Sequence, residues 1–479
     1  MIAFSRNAST CLNASVFLAT LLGAASVIAQ DTTHPQAMDL PPAQFERPSP
    51  ESLQITLDNG LVAYIAEDHR APLVTLKAFI GVGTGHGAPG EAAALAAALR
   101  RGPQAMSDNE FQATLDSMHA EFRVSQHHEL TEVFLDVSTK DPRRALALMA
   151  QLLSQPAFDG TKTGPQQAKF SGTIDYNYSL VNAVAMFRDQ LFSGHVFTRN
   201  ATAEQAAAAN QGVRALHARY VVAKNVTLAM GGDFKRSSAV KETYRAFRGL
   251  SADSPPEAES FPALRPAEKR QLILSEAPRI QGWIVIGHEL PVVPQEDEAA
   301  LAVMDYILGA FHLDSRLYRS SRELRGLTND NSSFLQPGIR GPGSYSFRTY
   351  GRPEAVRLLV DNTFEELNKI RETSVSATEL FVAKGALVDG IYADRYATGV
   401  EATQAYAREW LAVGSHERSA SFPARVGAVS AEAVREAAQK YIHPERMIVA
   451  VLGPMDKIEI APAIESEPQL STWGSPARQ

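Results

Sequence analysis

The stretches ARYVVAKNVTLAMGGD (residues 218–233) and QKYIHPERMIVAVLGP (residues 439–454) decide the fold. They align without a gap. In each, a helical pattern runs to a tyrosine (Tyr220, Tyr441), a short turn follows, and a β-rich run closes at a glycine (Gly232, Gly453). Upstream, Val213-Arg214 matches Val434-Arg435 in the same register. A recurrence of this kind marks a duplicated module, so the chain reads as two copies of one α/β unit. The segment between them, residues 251–269, is rich in proline and charge, which suits a linker.

Working outward in the first copy, LQITLDNGLVAYIAEDHRAPLVTLKAFIGVG (residues 53–83) holds Asn59-Gly60 between two alternating apolar runs, a hairpin signal. The third run, residues 73–80, reads as another strand. A glycine-rich loop and the alanine-rich helix EAAALAAALRRG (residues 91–102) come next. Helical periodicity at 108–118 and 142–153 then flanks a strand at 132–137. The second copy opens in the same order, with RQLILSE, GWIVIGHELP and a helix over 295–308. This order predicts an α+β fold of two homologous α/β-sandwich modules with mostly antiparallel sheets. The modules are expected at 49–250 and 270–460, with a spacer at 30–48 before them and a tail at 461–479 after.

With 479 residues, 45% hydrophobic and 21% charged, the chain has the composition of a packed globular protein. A formal net charge of −7 and the lack of a Lys/Arg stripe interleaved with aromatics argue against nucleic acid as a partner. Arg6, the apolar residues 16–25 and Val27-Ile28-Ala29 read as a secretory signal peptide over 1–29, cleaved near Ala29. The apolar run is shorter than the roughly 20 residues a span needs. The expectation is a periplasmic or secreted protein with no stable membrane insertion after cleavage. The one cysteine, Cys11, lies in that leader, so the mature chain has no disulfide, thiol nucleophile or thiolate ligand.

The run DNGLVAYIAEDHRAPLVTLKAFIGVG, with YILGAFHLDSRLYRSSRELRGL and the closing ERMIVAVLGP in the second copy, resembles the insulinase or pitrilysin-type (M16) zinc peptidases. The likeness is to their two-module bacterial members, related to mitochondrial processing peptidase, and covers residues 50–460. It implies the metalloprotease type of fold shared with that peptidase. In that family the helix after the glycine-rich loop carries H-x-x-E-H. Residues four apart on an α-helix are offset by about 40°, so both histidines reach one zinc ion, and the glutamate serves the zinc-bound water as general base.

Anchored on Arg101-Gly102, those three positions fall on Ala93, Ala96 and Ala97. The motif occurs nowhere in the chain, and the distal zinc glutamate falls near Phe170-Ser171. The resemblance therefore implies no zinc in this chain and a zinc-bearing partner subunit that keeps H-x-x-E-H. The family's second module holds substrate with an arginine and a tyrosine seven residues later. Here those positions are Arg322 and Asn329, half of the pair. Gly309 and Phe311 match a glycine-rich loop near the family's substrate chamber.

Metal binding elsewhere is not expected. His127-His128-Glu129 on a strand would point to alternate faces, and His195, His288, His312 and His443 are each isolated. The sequence thus predicts a catalytically silent peptidase homologue that supplies chamber wall and peptide contacts to an H-x-x-E-H partner. The alternative is a scaffold subunit of another complex with no peptidase role. A stand-alone hydrolase would need a motif such as G-x-S-x-G, which is absent.

Overall fold

The computed structural model describes residues 45–138, 142–160, 180–198, 201–257, 260–278, 280–310, 313–460 and 468–471. The signal segment, Phe170, Ser171, Phe311 and His312 lie outside the described residues. The described residues from Arg47 onward belong to one compact unit.

Two six-stranded sheets organise this unit. In the first, β1 (Gln54–Thr56), β2 (Val62–Glu67), β3 (Val74–Ile80), β4 (Glu121–Gln126), β5 (Thr131–Val137) and β6 (Val226–Gly232) stand in the order β1-β2-β6-β3-β5-β4. In the second, β7 (Gln271–Glu276), β8 (Gly282–Leu290), β9 (Asn331–Gln336), β10 (Gly343–Gly351), β11 (Ile448–Gly453) and β12 (Pro468–Ser471) stand in the order β12-β7-β11-β8-β10-β9. The repeated segments become β6 and β11. Each is inserted parallel to one strand, β2 or β7, and antiparallel to the strand that follows it in the chain, β3 or β8. All other pairings except β12 with β7 are antiparallel, so the sheets are mixed with an antiparallel majority.

Local chemistry explains the elements. Gly60 turns the β1–β2 connection at φ +89°, which an L side chain resists. Asn59 fixes that turn by donating to the carbonyls of Phe247 (2.9 Å) and Leu250 (3.0 Å). The helices Asp108–Ser117, Ala203–Tyr220 and Ala377–Gly385 each open with a capping box, from Ser107, Thr202 and Ser376. Residues Val74, Leu76 and Ala78 of β3 point into one core with Leu95, Leu99 and Leu152, while Lys77 takes the other face.

β2 and β6 are buried almost throughout, the pattern of strands covered on both faces. The second cover is unexpected from chain order. The first sheet's outer face is covered by the helix Gly399–Val413, which belongs in sequence to the second copy; Tyr406, Ala402 and Ala407 pack there on Val62, Tyr64, Phe79 and Ala229. In return the helix Leu180–Leu191, from the first copy, lies on the second sheet, with Ala183, Met186 and Phe187 on Val285, Ile448, Ala450 and Leu452. A glycine lets each helix in. A Cβ on Gly231 of β6 would stand 2.6 Å from Val400 Cα, and one on Gly287 of β8 would stand 2.9 Å from Phe187 Cζ. The two sheets follow the linear division at the linker; these two helices cross it.

Candidate functional site

The alanine-rich helix is Glu91–Arg100, started by Gly90 at φ +90°. It packs on Ala203–Tyr220 through small residues. A Cβ on Gly90 would meet Ala209 Cβ at 3.2 Å, and one on Gly212 would collide with the Glu91 carboxylate. Glu91 is itself turned back to accept from Ala88 N at 2.9 Å. Alanine here supplies helix propensity and close approach.

Ala93 is exposed, Ala97 half-buried, and Ala96 is only 1% exposed within the first core. Three methyl groups have no lone pair to give a metal. Among the described residues no group of three or more His, Cys, Asp or Glu is arranged to hold an ion. Zinc does not fit this helix, and Ala96 is closed into the core.

The adjacent histidines go separate ways. His127 faces Glu132 (3.6 Å). His128 stacks on Phe197 at 4.4 Å between centroids and meets the Arg188 guanidinium at 2.8 Å. Burial, with Arg188 beside it, pushes His128 down to about 3, so it is neutral. His288 is likewise held down to about 4 by burial.

Arg322 sits in a π-helical turn, Arg319–Glu323, and is exposed. The structure does bring it to Asn329: the guanidinium donates to the Asn329 side-chain oxygen and, at 3.4 Å, to Thr328 O. The neighbouring arginines are engaged elsewhere, Arg316 in a forked pair with Glu379 (2.7 and 3.1 Å) and Arg325 with Ser320 O (2.9 Å). Gly309 ends the helix Gln295–Leu308 at φ −166°, an extended conformation. Its need for glycine is steric, because a Cβ would stand 2.8 Å from Leu317 Cδ1 and 2.9 Å from Ser333 N.

What motif-based reading missed is a cavity of about 860 Å³ between the sheets. Its walls include Lys77, Phe79 and Glu132 of the first sheet, Pro337 to Ile339 after β9, Tyr392, Tyr396 and Phe422, and a face of the Gly399–Val413 helix bearing Glu401, Gln404 and Arg408. Lys77 pairs with Glu132 (3.1 Å) and Arg425 with Glu298 (3.1 Å). Behind Glu409 and Ser419 of one wall lies a half-buried relay joining both copies: Tyr64 OH to His416 Nε2 (2.6 Å), and His416 Nδ1 to Glu409 (3.0 Å). Ser419 Oγ donates to Glu409 (2.7 Å) and accepts from Arg47 (2.7 Å). Burial pushes the Glu409 carboxyl up, but hydrogen bonds from His416 and Ser419 outweigh it and hold it below its usual range. This is not a nucleophile's arrangement, because Ser419 donates to the carboxylate and the imidazole faces a phenol. The only sequence signal for the relay is the presence of these residue types, with Tyr64 and His416 more than 300 positions apart.

Comparison with known proteins gives one family match and several structural ones. Residues 210–387 match the family model for the peptidase M16 inactive domain. No curated protein matches the chain. Among solved structures, a peptidase M16 inactive domain from Pseudomonas fluorescens is similar at 19% identity and TM-score 0.68, covering 85% of this chain and 99% of its own. A protease from Helicobacter pylori follows at 14% and 0.66, covering 83% and 98%. A chain of complex III from Candida albicans aligns at 16% and 0.63, covering 84% and 96%. At such identities the structural matches show the fold, and the family model speaks for residues 210–387. The chain shares the fold of these proteins along most of its length, and over residues 210–387 it is similar to the peptidase M16 inactive domain.

Proposed function

We propose that this chain is the metal-free subunit of a two-subunit zinc peptidase acting outside the cytoplasm, and that an H-x-x-E-H partner supplies the zinc and the general base. The observation that carries the reading is the helix Glu91–Arg100, intact in its packing while methyl groups stand at all three motif positions and Ala96 is closed into the core. The fold has been kept and the chemistry removed, which suits a wall of a peptide chamber. Arg322 and Asn329 are the groups proposed to touch substrate. A guanidinium offers a forked pair of donors to a carbonyl or carboxylate, and Asn329 steers it in place of the family's tyrosine. Gly309 and Phe311 are proposed to line the same chamber. The signal-like segment 1–29 supports export, and no helix among the described residues is long and apolar enough to cross a membrane.

A second reading is a scaffold subunit without a peptidase role, favoured by the likeness to a chain of complex III. One experiment separates the two. Peptide hydrolysis and zinc content are measured for the purified chain alone and mixed with an H-x-x-E-H homologue from the same genome. Activity that needs both proteins and falls with Arg322→Ala supports the peptidase subunit; a mixture no more active than the partner alone rejects it. Zinc-dependent hydrolysis by this chain alone overturns both.

A further inference from the structure

The turn between β9 and β10, residues 337–342, separates two cavities. Pro337, Gly338 and Ile339 line the 860 Å³ cavity, and the next residue, Arg340, lines a second of about 210 Å³ beside His86, Tyr220 and Asn225. The helix Gly399–Val413 runs along both, with Arg408 on the first and Trp410 on the second. At this turn, consecutive residues Ile339 and Arg340 face different cavities.

The fastening of that turn is unusual. The turn's ends are held by β9–β10 pairing, which closes at Ser344 opposite Gln336. Three successive backbone N–H groups in its middle donate to a single side chain from the other sheet, Glu129 in the β4–β5 turn. The distances are 2.7 Å from Ile339, 2.7 Å from Arg340 and 3.3 Å from Gly341. Consecutive N–H groups aimed at one point form a concave anion site, here filled by the protein's own carboxylate. Hydrogen bonds to an ionised acceptor are the strong kind, yet all three depend on one residue and are lost together when it leaves. Gly338 and Gly341 supply the backbone freedom on either side, and Gly341 rests on Phe197 and Phe261, where a Cβ would come within 2.6 Å and 3.0 Å.

We propose that the 337–342 turn is a gate between the two cavities, latched shut by Glu129. Release of the carboxylate lets the turn swing on its two glycines and joins the cavities into one channel along the Gly399–Val413 helix. The proposal does not depend on the partner or the substrate.

The test exploits the scarcity of cysteine in the chain. In a Cys11→Ser background, spin labels are placed at Arg340→Cys on the turn and Ser154→Cys on the exposed end of the Pro142–Ser154 helix, and their distance distribution is measured with Glu129 and with Glu129→Ala. Amide exchange is followed in parallel. The gate predicts a narrow distribution that gains a second population in Glu129→Ala, with exchange at 339–341 faster by about ten-fold or more while β10 stays protected. A distribution unchanged by Glu129→Ala overturns the proposal, as does faster exchange spread evenly through β9 and β10, which would make Glu129 a prop for the sheet.

Discussion

Substitution of Phe187 by alanine tests the exchange of helices between the two halves. Phe187 lies on the Leu180–Leu191 helix, 1% exposed, with its ring end over Gly287 of β8 and its neighbours on β11. Truncating a fully buried phenylalanine removes its burial energy and leaves a void, about 3–5 kcal/mol together. Close packing against a rigid sheet puts the expected loss in that range, a large share of the roughly 5–15 kcal/mol that holds a domain folded. The assay is urea denaturation combined with amide exchange read strand by strand. If the helix serves the second sheet, protection falls first in β8 and β11, although the substitution lies in the first copy. A loss below about 1 kcal/mol, or exchange that rises in β2, β3 and β6 while β8 and β11 hold, would refute the assignment.

Other expectations follow from single sites. Ala96→Glu places a carboxylate without a partner in the first core and should cost about 3 kcal/mol or more in thermal or urea unfolding; Ala93→His, on the exposed face, should cost less than about 1 kcal/mol, so restoring the motif fails at its middle residue. Burial raises the Asp305 carboxyl to about 6, against hydrogen bonds from Ser333 (2.6 Å) and Tyr345 (2.7 Å). The folded protein thus holds this proton more tightly than the unfolded chain. The stability it contributes is complete below about pH 4 and is lost as pH rises through 6, about 3 kcal/mol in all. Asp305→Asn keeps an oxygen for both donors and should flatten the stability curve between pH 4 and 7 in urea titrations. Arg322→Ala, exposed and bonded mainly to Asn329, should leave the melting free energy within about 0.5 kcal/mol, so any loss of activity in the mixed assay reports on function.

Much of the architecture was legible because the duplication shows in one gapless segment, the helix, turn and strand around Tyr220 and Tyr441, and because Asn59-Gly60 admits few turns. The alanines at 93, 96 and 97 carry no metal donor, which their residue type alone states, and their place in a zinc motif rests on the resemblance. Apolar periodicity identified helices but not the sheets they cover. The face of Leu180–Leu191 carries no mark saying that its partner strands lie beyond the linker. Glu129 looked like part of a histidine cluster and is a ligand for backbone N–H groups, which no sequence pattern displays. The cavity was missed for the same reason, as its walls come from both copies and converge only in three dimensions.

The crossed helices also set the order of events during synthesis. Leu180–Leu191 emerges from the ribosome before any strand of its sheet exists, and β11, on which Ala183 and Phe187 rest, is among the last strands made. Until then its apolar face stays in water or with a chaperone, and the first sheet lacks the cover that Gly399–Val413 later brings. Neither half can finish ahead of the other. The nascent chain therefore remains incompletely folded almost to its release.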